Sequence, residues 1–127
     1  MDSSTLKDAL VIFVECDDDT VVRTRAVLEL YDTAVLCISS RQGAAEILQH
    51  HPDLLVVDVS LSDDAMGLAR DLVEQADGSR GRVRSLALVT SAGECAPARA
   101  AGYDECVVKP VAPRTLLEVI RRLLATS

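Results

Sequence analysis

The chain has 127 residues, with 20 Asp and Glu against 13 Lys and Arg, a net charge of −7. It is 49% hydrophobic, yet its only aromatic residues are Phe13, Tyr31 and Tyr103. That length is one domain's worth, and its core must be built from Leu, Val, Ile and Ala. The acid excess argues against a nucleic-acid binder, which holds phosphates with clustered Lys and Arg. The longest apolar run, Ala9 to Val14, falls far short of the about 18 residues of a membrane span. Met1 to Asp8 is too polar for a signal peptide. These features point to a soluble, cytoplasmic protein.

Apolar runs and helical stretches alternate along the chain. Leu10 to Val14 is a short continuous apolar run, as expected of a strand buried on both faces. Thr20 to Tyr31 reads as a helix, with Thr20, Thr24, Val27, Leu28 and Tyr31 on one face and Arg25, Glu29 and Asp32 opposite. Ala34 to Ile38 is a second strand and Gln42 to Gln49 a second helix, broken by His51-Pro52-Asp53. Leu54 to Val59 is the third strand. After Ser62-Asp63-Asp64, read as a solvated loop, a helix runs from about Ala65 to Ala76.

Asp77 to Arg84 reads as a loop, including Arg80, Arg82 and Arg84, and Leu86 to Thr90 as strand four. Gly93 to Ala101 holds only a short helix, with Pro97 in its first turn and Gly102 ending it. Glu105 to Val108 is strand five. From Pro113 the last helix shows a stripe of Leu116, Leu117, Ile120, Leu123 and Leu124. Five strand–helix repeats imply a doubly wound α/β domain with a parallel sheet and helices on both faces. Residues 1–127 are expected to form a single domain, ordered from about 8 to 125, with no output domain.

The four cysteines, Cys16, Cys37, Cys95 and Cys106, show no C-x-x-C pair and no zinc-ligand spacing. They are expected to be small apolar fillers of core and rim rather than a disulfide framework.

Ligands of open parallel sheets bind beyond the carboxyl ends of the strands. Strand one ends in Glu15-Cys16-Asp17-Asp18-Asp19, strand three at Asp58, strand four at Thr90-Ser91, and strand five at Lys109-Pro110. With strands one and three adjacent, as in the flavodoxin-like order, carboxylates gather at one rim beside a hydroxyl and an ammonium. Oxygen ligands of this kind suit Mg²⁺, and a cation lets several carboxylates sit together. Asp58 could then act as a nucleophile toward a phosphoryl group, with Lys109 neutralising it and Thr90 donating a hydrogen bond. Asp53, at the other end of strand three, lies about 16 Å from Asp58 along the strand. His50 and His51 share that far end, so no hydrolase triad is available.

The chain resembles a response-regulator receiver domain, the CheY-like phosphoacceptor family. The resemblance rests on the acidic tip after Leu10 to Val14 and on His51-Pro52-Asp53-Leu54-Leu55-Val56-Val57-Asp58. It continues through Leu88-Val89-Thr90-Ser91-Ala92 and Ala101-Gly102-Tyr103-Asp104-Glu105-Cys106-Val107-Val108-Lys109-Pro110, and so covers essentially the whole chain. It implies a flavodoxin-like (βα)5 fold of strand order 2-1-3-4-5. It also implies phosphorylation of Asp58 by a sensor histidine kinase or phosphotransfer protein, with an effector protein downstream. Mg²⁺ would be bound by Asp58, the acids after strand one and the Ser60 carbonyl. Lys109 and Thr90 would complete the site, and Lys109-Pro110 is a bond often cis in the family.

Two registers remain open for the acids. By motif, Asp17-Asp18 forms the metal pair, but Asp58 follows Asp18 by only 40 residues. The gapless register, 42 residues from Cys16, suits the helical wheel better. It places Glu15 first and Cys16 second, where a thiol is a poor Mg²⁺ ligand, leaving Asp17 or Asp18 to compensate. Three further departures are Ser62 in place of a usual Pro, Cys106 at the position of the switch aromatic, and a fourth helix about one turn short. These motivate an alternative, a degenerate receiver acting as a phosphorylation-independent interaction module. A Mg²⁺-dependent phosphatase fits less well, because Ser60 stands where such enzymes need a second acid. The chain is accordingly expected to be a phosphoacceptor signalling domain and not an enzyme beyond its own phosphorylation and dephosphorylation.

Overall fold

The computed structural model describes residues 6–14, 19–39, 43–60, 63–75 and 83–125. Five strands, β1 (Leu10–Val14), β2 (Ala34–Ile38), β3 (Leu54–Asp58), β4 (Arg84–Val89) and β5 (Glu105–Val108), form a parallel sheet of order β2-β1-β3-β4-β5. The helices between and after them are α1 (Asp19–Leu30), α2 (Gly43–Gln49), α3 (Asp63–Gln75), α4 (Cys95–Ala100) and α5 (Pro113–Ala125). A 3₁₀ turn, Ala92–Glu94, precedes α4. The expected α/β alternation and strand order are therefore those of the molecule.

Alternation of side chains along each strand divides the core into two layers. Ile12, Val14, Leu55, Val57, Ala87 and Val89 face Ile47 of α2, Leu68 and Leu72 of α3, and Ala98 of α4. Val11, Phe13, Leu54, Val56, Leu86 and Leu88 face Val21 and Leu28 of α1 and Leu116, Ile120 and Leu123 of α5. All five residues of β3 are buried, because the strand lies in the middle of the sheet with helices on both faces.

Several expectations shift by a few residues. The buried face of α1 is Val21, Thr24 and Leu28, with Thr20 only half-buried and Tyr31 exposed. The wheel had the right stripe but began it one residue early. In α5 the deepest residues are Leu116, Val119, Ile120 and Leu123, while Leu117 and Leu124 are half-buried. Arg84 opens β4 rather than ending a loop, and Asp63 and Asp64 open α3. The packed chain begins earlier than residue 8. Leu6 is fully buried and its carbonyl accepts the Thr33 hydroxyl at 2.6 Å.

The cysteine expectation is corrected for two of the four, while Cys37 is a free thiol and Cys16 lies outside the described residues. Cys95 and Cys106 form a disulfide, with Cα atoms 5.6 Å apart. No spacing motif signals it, because the pair meets only where the first residue of α4 packs across β5. Gly102 ends α4 as expected. Its φ of 115° is a conformation that side chains rarely adopt, and a Cβ there would meet the Ala69–Arg70 backbone at 3.5 to 3.6 Å.

Candidate functional site

The site is built by strand register. Val14, the last residue of β1, pairs with Val57, and Asp58 pairs with Leu88. Val89 pairs with Val108, and the Lys109 N–H donates to the Val89 carbonyl at 2.7 Å. Asp58, Thr90 and Lys109 thus emerge from neighbouring strands at the same, carboxyl, end of the sheet. This is beside β1 and β3, where the strand order reverses.

Asp58 is the chemically loaded residue of this rim. Only 1% of it is exposed, so water does little to hold its charge. The protein supplies the partners instead. One carboxylate oxygen accepts the Ser60 N–H at 3.1 Å and the Ser60 hydroxyl at 2.5 Å. The other accepts the Lys109 ammonium. The peptide bond after Lys109, to Pro110, is cis. Ser60 contributes a side-chain contact that sequence reasoning missed, having considered only its carbonyl and its lack of a second acid.

Thr90 is brought to the rim but is engaged elsewhere. Its hydroxyl lies 3.2 Å from both oxygens of the Glu94 carboxylate, which also accepts the Thr90 N–H at 2.8 Å and the Ser91 N–H at 3.4 Å. Glu94 closes the 3₁₀ turn and reaches back onto its start, as the acid of a capping box does. The S/T-x-x-E spacing of Ser91 and Glu94 carried that signal in the sequence.

These donors hold the Glu94 carboxyl below its ordinary value of 4.5, the Thr90 backbone N–H most of all, against its partial desolvation and the nearby Asp58 charge. A depressed folded value means a contribution complete above the ordinary value and lost as pH falls through the folded one. Acid titration is therefore expected to loosen the 3₁₀ turn below about pH 4.5. In Glu94→Gln the Thr90 and Ser91 amide shifts should lose that titration, which nuclear magnetic resonance would read.

The remaining candidates separate cleanly. Asp53 sits at the opposite end of β3, where its carboxylate accepts the Leu10 N–H at 2.8 Å. Tyr103 is buried in the core, its hydroxyl donating to the Ala65 carbonyl at 2.5 Å. Glu15, Cys16, Asp17 and Asp18 lie outside the described residues, as do Ser62, Arg80 and Arg82. Among the described residues no group of three or more His, Cys, Asp or Glu could hold a metal ion. None of the described helices is long and apolar enough to cross a membrane.

Solved structures that share this fold include response-regulator receiver domains. The BeF3-activated receiver domain of RstA from Klebsiella pneumoniae is 26% identical, with a TM-score of 0.74 over 92% of this chain and 99% of that one. The chain has the fold of response-regulator receiver domains. A CheY-like receiver domain from Methanospirillum hungatei JF-1 is 25% identical, with a TM-score of 0.67 over 93% of this chain and 94% of that one. The receiver domain of TorR, the response regulator of the TMAO respiratory system, is 24% identical, with a TM-score of 0.75 over 91% and 96%. No protein-family model and no curated protein matches the chain. In receiver terms, Asp58 closes the central strand and Lys109 reaches it from β5.

Proposed function

We propose that this receiver domain accepts a phosphoryl group on Asp58 in two-component signalling. The observation that carries the reading is a carboxylate 1% exposed at the carboxyl end of the central strand, held by a lysine ammonium. In the transfer, an Asp58 oxygen bonds to phosphorus as the bond from phosphorus to a donor's imidazole nitrogen breaks. The imidazole leaves with the electron pair. Lys109 is placed to neutralise the transferred group, and the Thr90 hydroxyl to donate to it once released from Glu94. The donor is a sensor histidine kinase or phosphotransfer protein, the receiver of the signal an effector protein, and the setting cytoplasmic. The domain turns over nothing but its own acyl phosphate.

Mg²⁺ is the cofactor this chemistry asks for. Asp58 and the Ser60 carbonyl offer the hard oxygen donors such an ion prefers, and Glu15, Asp17 or Asp18 would complete the set. The ion would supply charge neutralisation for the phosphoryl oxygens.

Beryllofluoride, a phosphoryl mimic, tests the reading. Titration with Mg²⁺ present is expected to give saturable binding, lost in Asp58→Asn and lost on chelation of the metal. Absence of binding to the native chain, or binding undiminished in Asp58→Asn, would sink the phosphoacceptor reading.

Two observations favour a second reading, a phosphorylation-independent docking module. Thr90 is occupied by Glu94, and Cys106 is crosslinked where the resemblance expects a free aromatic. Partner binding unchanged in Asp58→Asn would select it.

A further inference from the structure

The disulfide ties together the two segments that carry the site's hydroxyl and its ammonium. Cys95 directly follows Glu94, whose carboxylate holds Thr90. Cys106 lies in β5, three residues before Lys109. We propose that Cys95 and Cys106 are a reversible thiol–disulfide pair, oxidised by low-molecular-weight disulfides, and that the disulfide form clamps the start of α4 so that Glu94 keeps Thr90.

Accessibility, geometry and position each support the pair. Both cysteines are half-buried at the edge of a core layer, not sealed within it, so a small disulfide can approach. Their Cα separation of 5.6 Å lies within the range of native disulfides. The other ties along this face are exposed ion pairs. Glu105 accepts Arg99 of α4 at 3.0 Å and Arg122 of α5 at 2.9 Å, with both arginines more than half exposed. Such pairs are worth about 0–1 kcal/mol each, so the covalent link is the strong tether of the six-residue α4. Its reduction leaves that helix on Ala98, the Arg99–Glu105 pair and the Arg70 guanidinium, which donates to the Ala100 carbonyl at 3.1 Å.

The chemistry balances. The thiolate of one cysteine attacks a sulfur of the small disulfide, giving a mixed disulfide and releasing one small thiol. The second cysteine attacks the protein sulfur of that mixed disulfide and releases the other small thiol. Two protein thiols are oxidised, one small disulfide is reduced, and the two protons end on the two released thiols.

The consequence for the site rests on the phosphoacceptor reading. The Thr90 hydroxyl has one proton to donate, and it cannot serve Glu94 and a phosphoryl oxygen together. A clamp that keeps Glu94 in place therefore opposes occupation of Asp58.

The 127-residue chain would be equilibrated in reduced and oxidised glutathione buffers, alkylated and mapped by mass spectrometry. The expected result is a Cys95–Cys106 crosslink that appears with oxidised glutathione and disappears with reduced. Amide exchange across Ala92–Gly102 should be slower in the crosslinked form, a difference absent in Cys106→Ser. Failure of the crosslink to form, or exchange equal in the two forms, overturns the proposal. Beryllofluoride should bind the reduced form more tightly, by about 5–150-fold, the usual span of coupling between two sites. Equal affinities in the two forms overturn the coupling to Thr90. Binding to neither form, with the crosslink and exchange as expected, defeats the phosphoacceptor reading and leaves the clamp supported.

Discussion

Lys109→Ala is expected to lower unfolding stability by about 1.5–3 kcal/mol, the scale of a hydrogen bond to a charged group, while Asp58→Asn costs less than half as much. The two partners of one ion pair differ because their surroundings differ. The Asp58 side chain is 2% exposed and that of Lys109 is 21% exposed. Without Lys109 the carboxylate keeps, among the described residues, the two Ser60 donors and cannot turn to water, so a desolvated charge is left half-compensated. Without the carboxylate charge, the lysine head rotates into solvent on its flexible stem. In the Asp58→Asn background, Lys109→Ala should therefore cost little. Urea unfolding of the two single variants and the double variant measures all three values. Equal single costs, or strictly additive ones, would mean that Lys109 does not carry the Asp58 charge.

Phe13→Ala should remove about 3–5 kcal/mol, a large part of the 5–15 kcal/mol that a domain of this size holds. Phe13 is the chain's one phenylalanine, fully buried in the middle of the sheet. It pairs with Cys37 on β2 and Val56 on β3, and its layer includes Leu28 of α1 and Leu116 and Ile120 of α5. No other aromatic is in that layer, so neighbouring aliphatic side chains must close the cavity or leave it open. Tyr31→Ala offers the contrast. Tyr31 is 38% exposed and lies under the Arg121 guanidinium at 5.5 Å, a cation–π contact worth about 0.5–1 kcal/mol at such sites. Thermal or urea unfolding should separate the two variants widely. Similar losses for both would place the stabilising aromatic packing at the α1–α5 surface rather than in the sheet.

Much of the site was legible because strand ends are legible. A run of four apolar residues closed by an acid, Leu54 to Asp58, announces both a buried strand and a side chain at its rim. Val107-Val108 followed by Lys109-Pro110 does the same for the lysine. What escaped were contacts that depend on a side chain turning back within a short loop. Ser60 folds onto Asp58, and Glu94 onto Thr90, within two and four residues. Ser60 would read equally well as a solvated loop residue, while Glu94 left a trace only in its capping-box spacing from Ser91. The phase of α1 slipped from Thr20 to Val21 because a threonine and a valine suit a helix face alike until the sheet selects one.

The sequence by itself determined the alternation of strands and helices, and with it the rim where Asp58, Thr90 and Lys109 emerge. Periodicity of apolar residues is a local property, and parallel strands joined by helices leave few arrangements open. Only the tertiary structure decided the disulfide. Cys95 and Cys106 are separated by 11 residues, with no motif between them. They meet because Gly102 turns the chain after α4 and β5 then runs back beneath that helix's first residue. Their meeting is set by the packing of one element on another, which no local pattern encodes.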